Sequence, residues 1–130
     1  MSRTVLLIED NEQNRYLATF LLEQNGDTVV SAHDGQSGIA LAQRIVPDLI
    51  LLDIQLPAMD GHEVARELRK IDVLDDTPIV AVTSFAMVGD REKALEAGCN
   101  GYIEKPIDPD TFVEEIAGFV RLSRTAKGDE

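Results

Sequence analysis

Short, unbroken apolar runs alternate along this chain with segments of helical spacing. The first run, Thr4-Val5-Leu6-Leu7-Ile8, stops abruptly at Glu9-Asp10. Similar runs recur at Thr28-Val29-Val30, at residues 48–53, at residues 78–83 and, shorter, at Gly101-Tyr102-Ile103. Continuous runs of this kind mark strands covered on both faces, as in parallel sheets. Between them, residues 12–24 carry Leu17 with Leu21 and Ala18 with Leu22 at i, i+4 spacing, and Gly26 follows as a helix stop. Residues 36–45 set Ile39 and Ala42 on one face before Pro47. Residues 61–71 group Val64, Leu68 and Ile71, with Arg66, Glu67, Arg69 and Lys70 turned to water. Residues 87–97 are less regular and end at Gly98. A last helix is predicted over 109–122, with Asp108 as N-cap, Pro109 at its first position and a buried stripe of Phe112, Val113, Ile116 and Val120. Five successive β–α units predict one α/β domain over residues 1–122, a doubly wound, five-stranded parallel sheet with helices on both faces. The polar stretch 123–130 is expected to fray as a tail.

Charge removes several partner classes. The 130 residues hold 12 Lys+Arg against 24 Asp+Glu, a formal net charge of −12. Such a balance argues against a nucleic-acid or anionic-membrane surface, because phosphate contacts need clustered Lys and Arg. No apolar run approaches the ~20 residues of a membrane span, and the first residues show no signal-peptide pattern. One cysteine, Cys99, allows no internal disulfide and fits a reducing, cytoplasmic setting.

In sheets of this class ligands sit beyond the carboxyl ends of the strands. There the chain places Glu9 and Asp10, Asp53, Thr83 and Lys105. Taken singly, each has a plain structural role: Asp10 or Asn11 as a helix cap, Asp53 as a loop brace, Thr83 as a strand-end hydroxyl, Lys105 as a surface charge. Together they do not. Three carboxylates at one sheet edge repel each other unless a cation or shared proton offsets them. Hard oxygen donors suit Mg²⁺, which takes one or two carboxylates directly and keeps several waters. A lysine and a hydroxyl at neighbouring strand ends can hold a phosphoryl group beside that metal. An aspartate is ionised at neutral pH and attacks phosphorus without a general base.

The set Glu9-Asp10, Asp53, Thr83 and Lys105-Pro106 resembles the receiver domain of bacterial two-component response regulators, from Val5 to about Val120. The strings Leu7-Ile8-Glu9-Asp10-Asn11, residues 47–57, Met59-Asp60-Gly61 and residues 101–106 carry the likeness in order and spacing. The finer resemblance, to small stand-alone regulators of the cell-division-control type, rests on residues 10–14, Phe85-Ala86-Met87, Gly89-Asp90, Gly98-Cys99 and Lys105-Pro106-Ile107. The resemblance implies a flavodoxin-like receiver fold with strand order 2-1-3-4-5 and a phosphoryl group accepted on Asp53. It also implies Mg²⁺ on Asp10, Asp53 and the Gln55 backbone carbonyl, with Glu9 reaching the metal through water. Lys105, before a cis Pro106, would pair with the phosphoryl oxygens. Thr83 would donate its hydroxyl to them, and Tyr102 would turn inward in response.

The expected reaction is in-line transfer from a phosphohistidine or small phosphodonor, supplied by a histidine kinase or histidine phosphotransfer protein. Because the product is a modified protein, the chain is not expected to be an ordinary turnover enzyme. Output is expected through the face of helix 4, strand 5 and helix 5 to a downstream protein, from a monomer or weak dimer. A relay or phosphate sink without allosteric output is the alternative. A hydrogen bond to a charged group nets only about 1.5–3 kcal/mol, whereas shifting a population from 1:99 to 99:1 needs roughly 5.5 kcal/mol. Thr83 therefore needs help from Lys105 and from the partner. On the first helix, Tyr16 and Phe20 flank the core stripe; they either widen the core or, with Asn14, Pro106 and Ile107, form a docking patch for the phosphodonor. A haloacid-dehalogenase-type phosphatase would need an Asp-x-Asp after the first strand, which Glu9-Asp10-Asn11-Glu12 is not. A flavodoxin-type binder would need a Gly/Ser/Thr-rich phosphate loop where this chain has acids. A degenerate receiver would have lost a site residue.

Overall fold

The computed structural model describes residues 3–84 and 88–128, with side chains described through Val120. Phe85, Ala86 and Met87, which fall in the strings named above, lie outside the described residues. Strands β1 (Thr4–Ile8), β2 (Thr28–Ala32), β3 (Leu49–Asp53), β4 (Ile79–Thr83) and β5 (Gly101–Glu104) alternate with helices α1 (Glu12–Gln24), α2 (Gly35–Ile45), α3 (Gly61–Arg69), α4 (Asp90–Glu96) and α5 (Phe112–Gly128). All pairings are parallel and the order is β2-β1-β3-β4-β5, as expected.

Strand alternation divides the core in two. Leu6, Ile8, Ile50, Leu52, Ile79 and Ala81 face one side with Ala42, Val64, Leu68 and Ala94 from α2, α3 and α4. Val5, Leu7, Leu49, Leu51, Val80, Val82 and Ile103 face the other with Ala18, Leu22, Phe112, Ile116 and Val120 from α1 and α5. The central strands β3 and β4 are buried along their whole length, which is why their sequences read as unbroken apolar runs.

Several local readings change. The predicted helix over 87–97 begins at Asp90, because Gly89 takes a left-handed φ of +89° at the N-cap position. Regular helix in α5 starts at Phe112 rather than Pro109: residues 109–111 form a turn in which the Asp108 Oδ1 accepts from the Asp110 amide at 2.9 Å. Asp108 still begins the bonding, since its carbonyl accepts from Phe112 at 2.9 Å. With no proline or glycine between Leu122 and Lys127, α5 continues through Gly128, so 123–128 is helical rather than frayed. Arg69, expected in water, is half-buried and donates to the carbonyls of Gly98 and Leu74 and to Asn100 Oδ1, at 2.8, 2.9 and 2.6 Å. Among the described residues no helix is long and apolar enough to cross a membrane.

Candidate functional site

Parity places the site. Residues two apart on a strand share a face, and Glu9, Asp53 and Lys105 each follow by two a residue of the α1/α5 core: Leu7, Leu51 and Ile103. Because β1 and β3 are paired neighbours with Ile8 opposite Leu52, the two acidic strand ends lie side by side. The side-chain oxygens of Glu9, Asp10 and Asp53 come within 4.8 Å of one another. Glu9 and Asp53 are buried and Asp10 is exposed, so the cluster has a closed floor and an open mouth.

Lys105 reaches this cluster from β5. Its Nζ lies 2.7 Å from Glu9 Oε1 and 3.4 Å from Asp53 Oδ2, spanning the two buried acids. The Lys105–Pro106 bond is cis. Burial first, and the adjoining Asp53 carboxyl second, push the Glu9 carboxyl up from 4.5 to about 7 against the opposing pull of Lys105. One buried cation thus offsets the crowding of carboxylates only in part.

Asp53 also has the loop-bracing role open to it from sequence: its Oδ1 accepts from the Gln55 amide at 3.0 Å. The α1 cap belongs to Asn11, whose side chain accepts from the Asn14 amide at 2.9 Å. Asn14 and Ile107 line a small pocket with Glu9 and Asp53, directly under the acids. Pro106, which precedes Ile107 in the chain, is exposed.

Thr83 and Tyr102 sit on the other parity. Thr83 is buried, and its Oγ1 accepts from Gln55 Nε2, while Gln55 Oε1 accepts from the Ser84 amide at 3.0 Å. The Gln55 side chain therefore ties the loop after β3 to the end of β4. Tyr102 stands opposite Ala81 and packs on the α2–α4 side; its hydroxyl is buried with no hydrogen-bond partner among the described residues. Burial, reinforced by Asp90 and Glu104, raises its pKa. Tyr16 and Phe20 are not part of the cluster. They stand 72% and 51% exposed on α1 with rings stacked at a centroid distance of 6.4 Å, so they do not widen the core.

Two contributors escape the sequence reading. One is the Gln55 side chain, since that residue is considered there only for its backbone carbonyl. The other is Arg15, whose Nη1 donates to the Glu9 and Asp10 carbonyls at 2.9 and 3.0 Å. Its signal in the sequence is a cation near a helix N-terminus, where the helix dipole disfavours one.

Residues 5–117 match the family described as response regulator receiver domain. The chain belongs to that family. It is 42% identical over 120 residues to the polar-differentiation response regulator DivK of Brucella anthropi, covering 92% of this chain and 98% of the relative. The DivK of Brucella ovis is 41% identical over the same coverage. Among solved structures, the receiver domain of the sensor histidine kinase PA1611 from Pseudomonas aeruginosa is 33% identical with a TM-score of 0.84, covering 92% of this chain and 98% of that one. That receiver was solved with a magnesium ion coordinated in its active site cleft. The Vibrio cholerae chemotaxis protein CheY4 is 26% identical with a TM-score of 0.87, covering 92% of this chain and 99% of that one. The receiver relationship is thus supported by sequence over nearly the whole chain and by fold.

Proposed function

We propose that this receiver accepts a phosphoryl group on Asp53 in a Mg²⁺-dependent reaction and signals through phosphorylation-dependent protein contacts. The carrying observation is the convergence of Glu9, Asp10 and Asp53 with Lys105 at one strand-end mouth. The donor set fits the metal: three hard carboxylates, one open to solvent, suit an ion that keeps several waters. Asp10, Asp53 and the Gln55 carbonyl would hold it, with Glu9 through water, and when bound it neutralises charge on the phosphoryl oxygens.

The chain's own groups do the rest. An Asp53 carboxylate oxygen attacks phosphorus as the bond from phosphorus to the donor's imidazole nitrogen breaks, and the freed imidazole takes up a proton. Lys105, already 3.4 Å from Asp53, exchanges carboxylate partners for phosphoryl oxygens. Thr83 gives up its tie to Gln55 and donates its hydroxyl to the same group, and Tyr102, on the shared sheet face, follows.

The donor is a histidine kinase or phosphotransfer protein, docking on Tyr16 and Phe20 with Asn14, Pro106 and Ile107. The α4–β5–α5 face carries the output, and the chain acts in the cytoplasm as a stand-alone regulator, monomeric or weakly dimeric. The near-complete coverage of the DivK relatives supports this reading. The test is intact-mass analysis after exposure to acetyl phosphate or a phosphorylated phosphotransfer domain. One phosphoryl adduct is expected, requiring Mg²⁺ and lost in Asp53→Asn; no adduct from either donor would overturn the reading.

A further inference from the structure

We propose that Arg15 is a positioning residue of the acidic site, fixing the loop that aims Glu9 and Asp10; the inference rests on the Mg²⁺-site reading above. The loop between β1 and α1 is only Glu9, Asp10 and Asn11. Arg15 Nη1 donates to two successive carbonyls in it, Glu9 O at 2.9 Å and Asp10 O at 3.0 Å. Drawing both carbonyls to one nitrogen fixes the peptide planes on either side of Asp10, and with them the directions of the Glu9 and Asp10 Cβ bonds. The turn is completed by the Asn11 amide, which donates to Glu9 Oε2 at 3.2 Å, and by the Glu9 amide, which donates to Ala32 O at 3.0 Å. Arg15 therefore holds the backbone on which one buried and one exposed carboxylate are mounted.

Its placement is not explained by the helix. A cation in the first turns of α1 works against the helix dipole, and among the described residues Arg15 pairs with no carboxylate. Its bonds go to carbonyls alone. This resembles the outer groups of metal sites generally, which orient the ligands without touching the ion.

Charge and positioning predict opposite signs. A cation beside a divalent-ion site repels that ion, so as a charge alone Arg15 would weaken binding, and Arg15→Met would tighten it. As a staple, its removal lets the loop relax and weakens Mg²⁺ binding, roughly tenfold. The experiment is calorimetric titration of MgCl₂ into wild type and Arg15→Met, with amide exchange at Asn11 measured by NMR in metal-free buffer. Weaker Mg²⁺ binding together with faster Asn11 exchange is expected. Unchanged or tighter binding, or unchanged exchange, overturns the proposal. Should Arg15→Met not fold, Arg15→Gln removes the charge and shortens the side chain that reaches the two carbonyls, and the same two readouts apply with the same signs. A wild type that binds no Mg²⁺ overturns the metal-site reading instead, and the metal-free exchange then decides Arg15 by itself.

Discussion

Glu9 shows most sharply how the acidic site is balanced at the level of single residues. Its carboxyl is buried beside Asp53, which lifts its pKa to about 7, while Lys105 at 2.7 Å restrains the rise. Between pH 4.5 and about 7 the folded chain holds a proton on Glu9 that the unfolded chain has released. Stability from this group is therefore fully present below the unfolded value and is lost as pH rises through the folded one. Metal-free wild type is expected to melt higher at about pH 5.5 than at about pH 7.5 on this account, and Glu9→Gln to lose that component of the difference. Mg²⁺ acts the other way. The ion competes with the proton, so its affinity should rise over the same interval. A Glu9→Gln protein whose pH dependence matches wild type would place the titrating group elsewhere.

At the scale of elements, the site exists because strand ends of one parity meet at the edge between β1 and β3. Helix α3 presses on that edge from the other side: a Cβ on Gly61 would lie 2.5 Å from the Ile54 Cα and 2.8 Å from the Asp53 carbonyl. Backbone cannot yield as a flexible side chain can. Gly61→Ala is expected to cost about 1–3 kcal/mol of stability by overpacking, and to weaken Mg²⁺ binding by displacing the loop after Asp53. Thermal melting and metal titration read the two effects, and a variant wild-type in both would mean that α3 does not set the loop. This fold was legible because parallel strands write themselves as apolar runs ending in acids; Glu9, Asp10, Asp53 and Lys105 fell out of those ends directly. What stayed hidden depends on side chains reaching across the chain. Arg69 looks like a solvent-facing helix position, yet it bridges α3 to Gly98 and Asn100, some 29 and 31 residues away in sequence. Gln55 reaches Thr83 over 28 residues in the same manner. Periodicity reports which face of an element is apolar and says nothing of where a long polar side chain ends.

The whole molecule carries a net charge of −12, and among the described residues its most exposed aromatic pair, Tyr16 and Phe20, stacks on α1 outside the core. Two stacked rings in water favour a partner that covers them. Tyr16→Ala with Phe20→Ala is expected to slow transfer from a phosphorylated phosphotransfer domain at least tenfold, while leaving labelling by acetyl phosphate and the melting temperature near wild type. Loss of fold, or equal slowing with both donors, would remove the docking role. The proposed phosphoryl transfer depends on one acceptor side chain, Asp53, at the mouth between β1 and β3. Its most direct test is to label the protein with acetyl phosphate and Mg²⁺, reduce any acyl phosphate with borohydride, and locate the resulting homoserine by peptide mass spectrometry. Homoserine at Asp53 alone, and only when Mg²⁺ was present, is the predicted result; reduction at Asp10 or Glu9, or none anywhere, would contradict it.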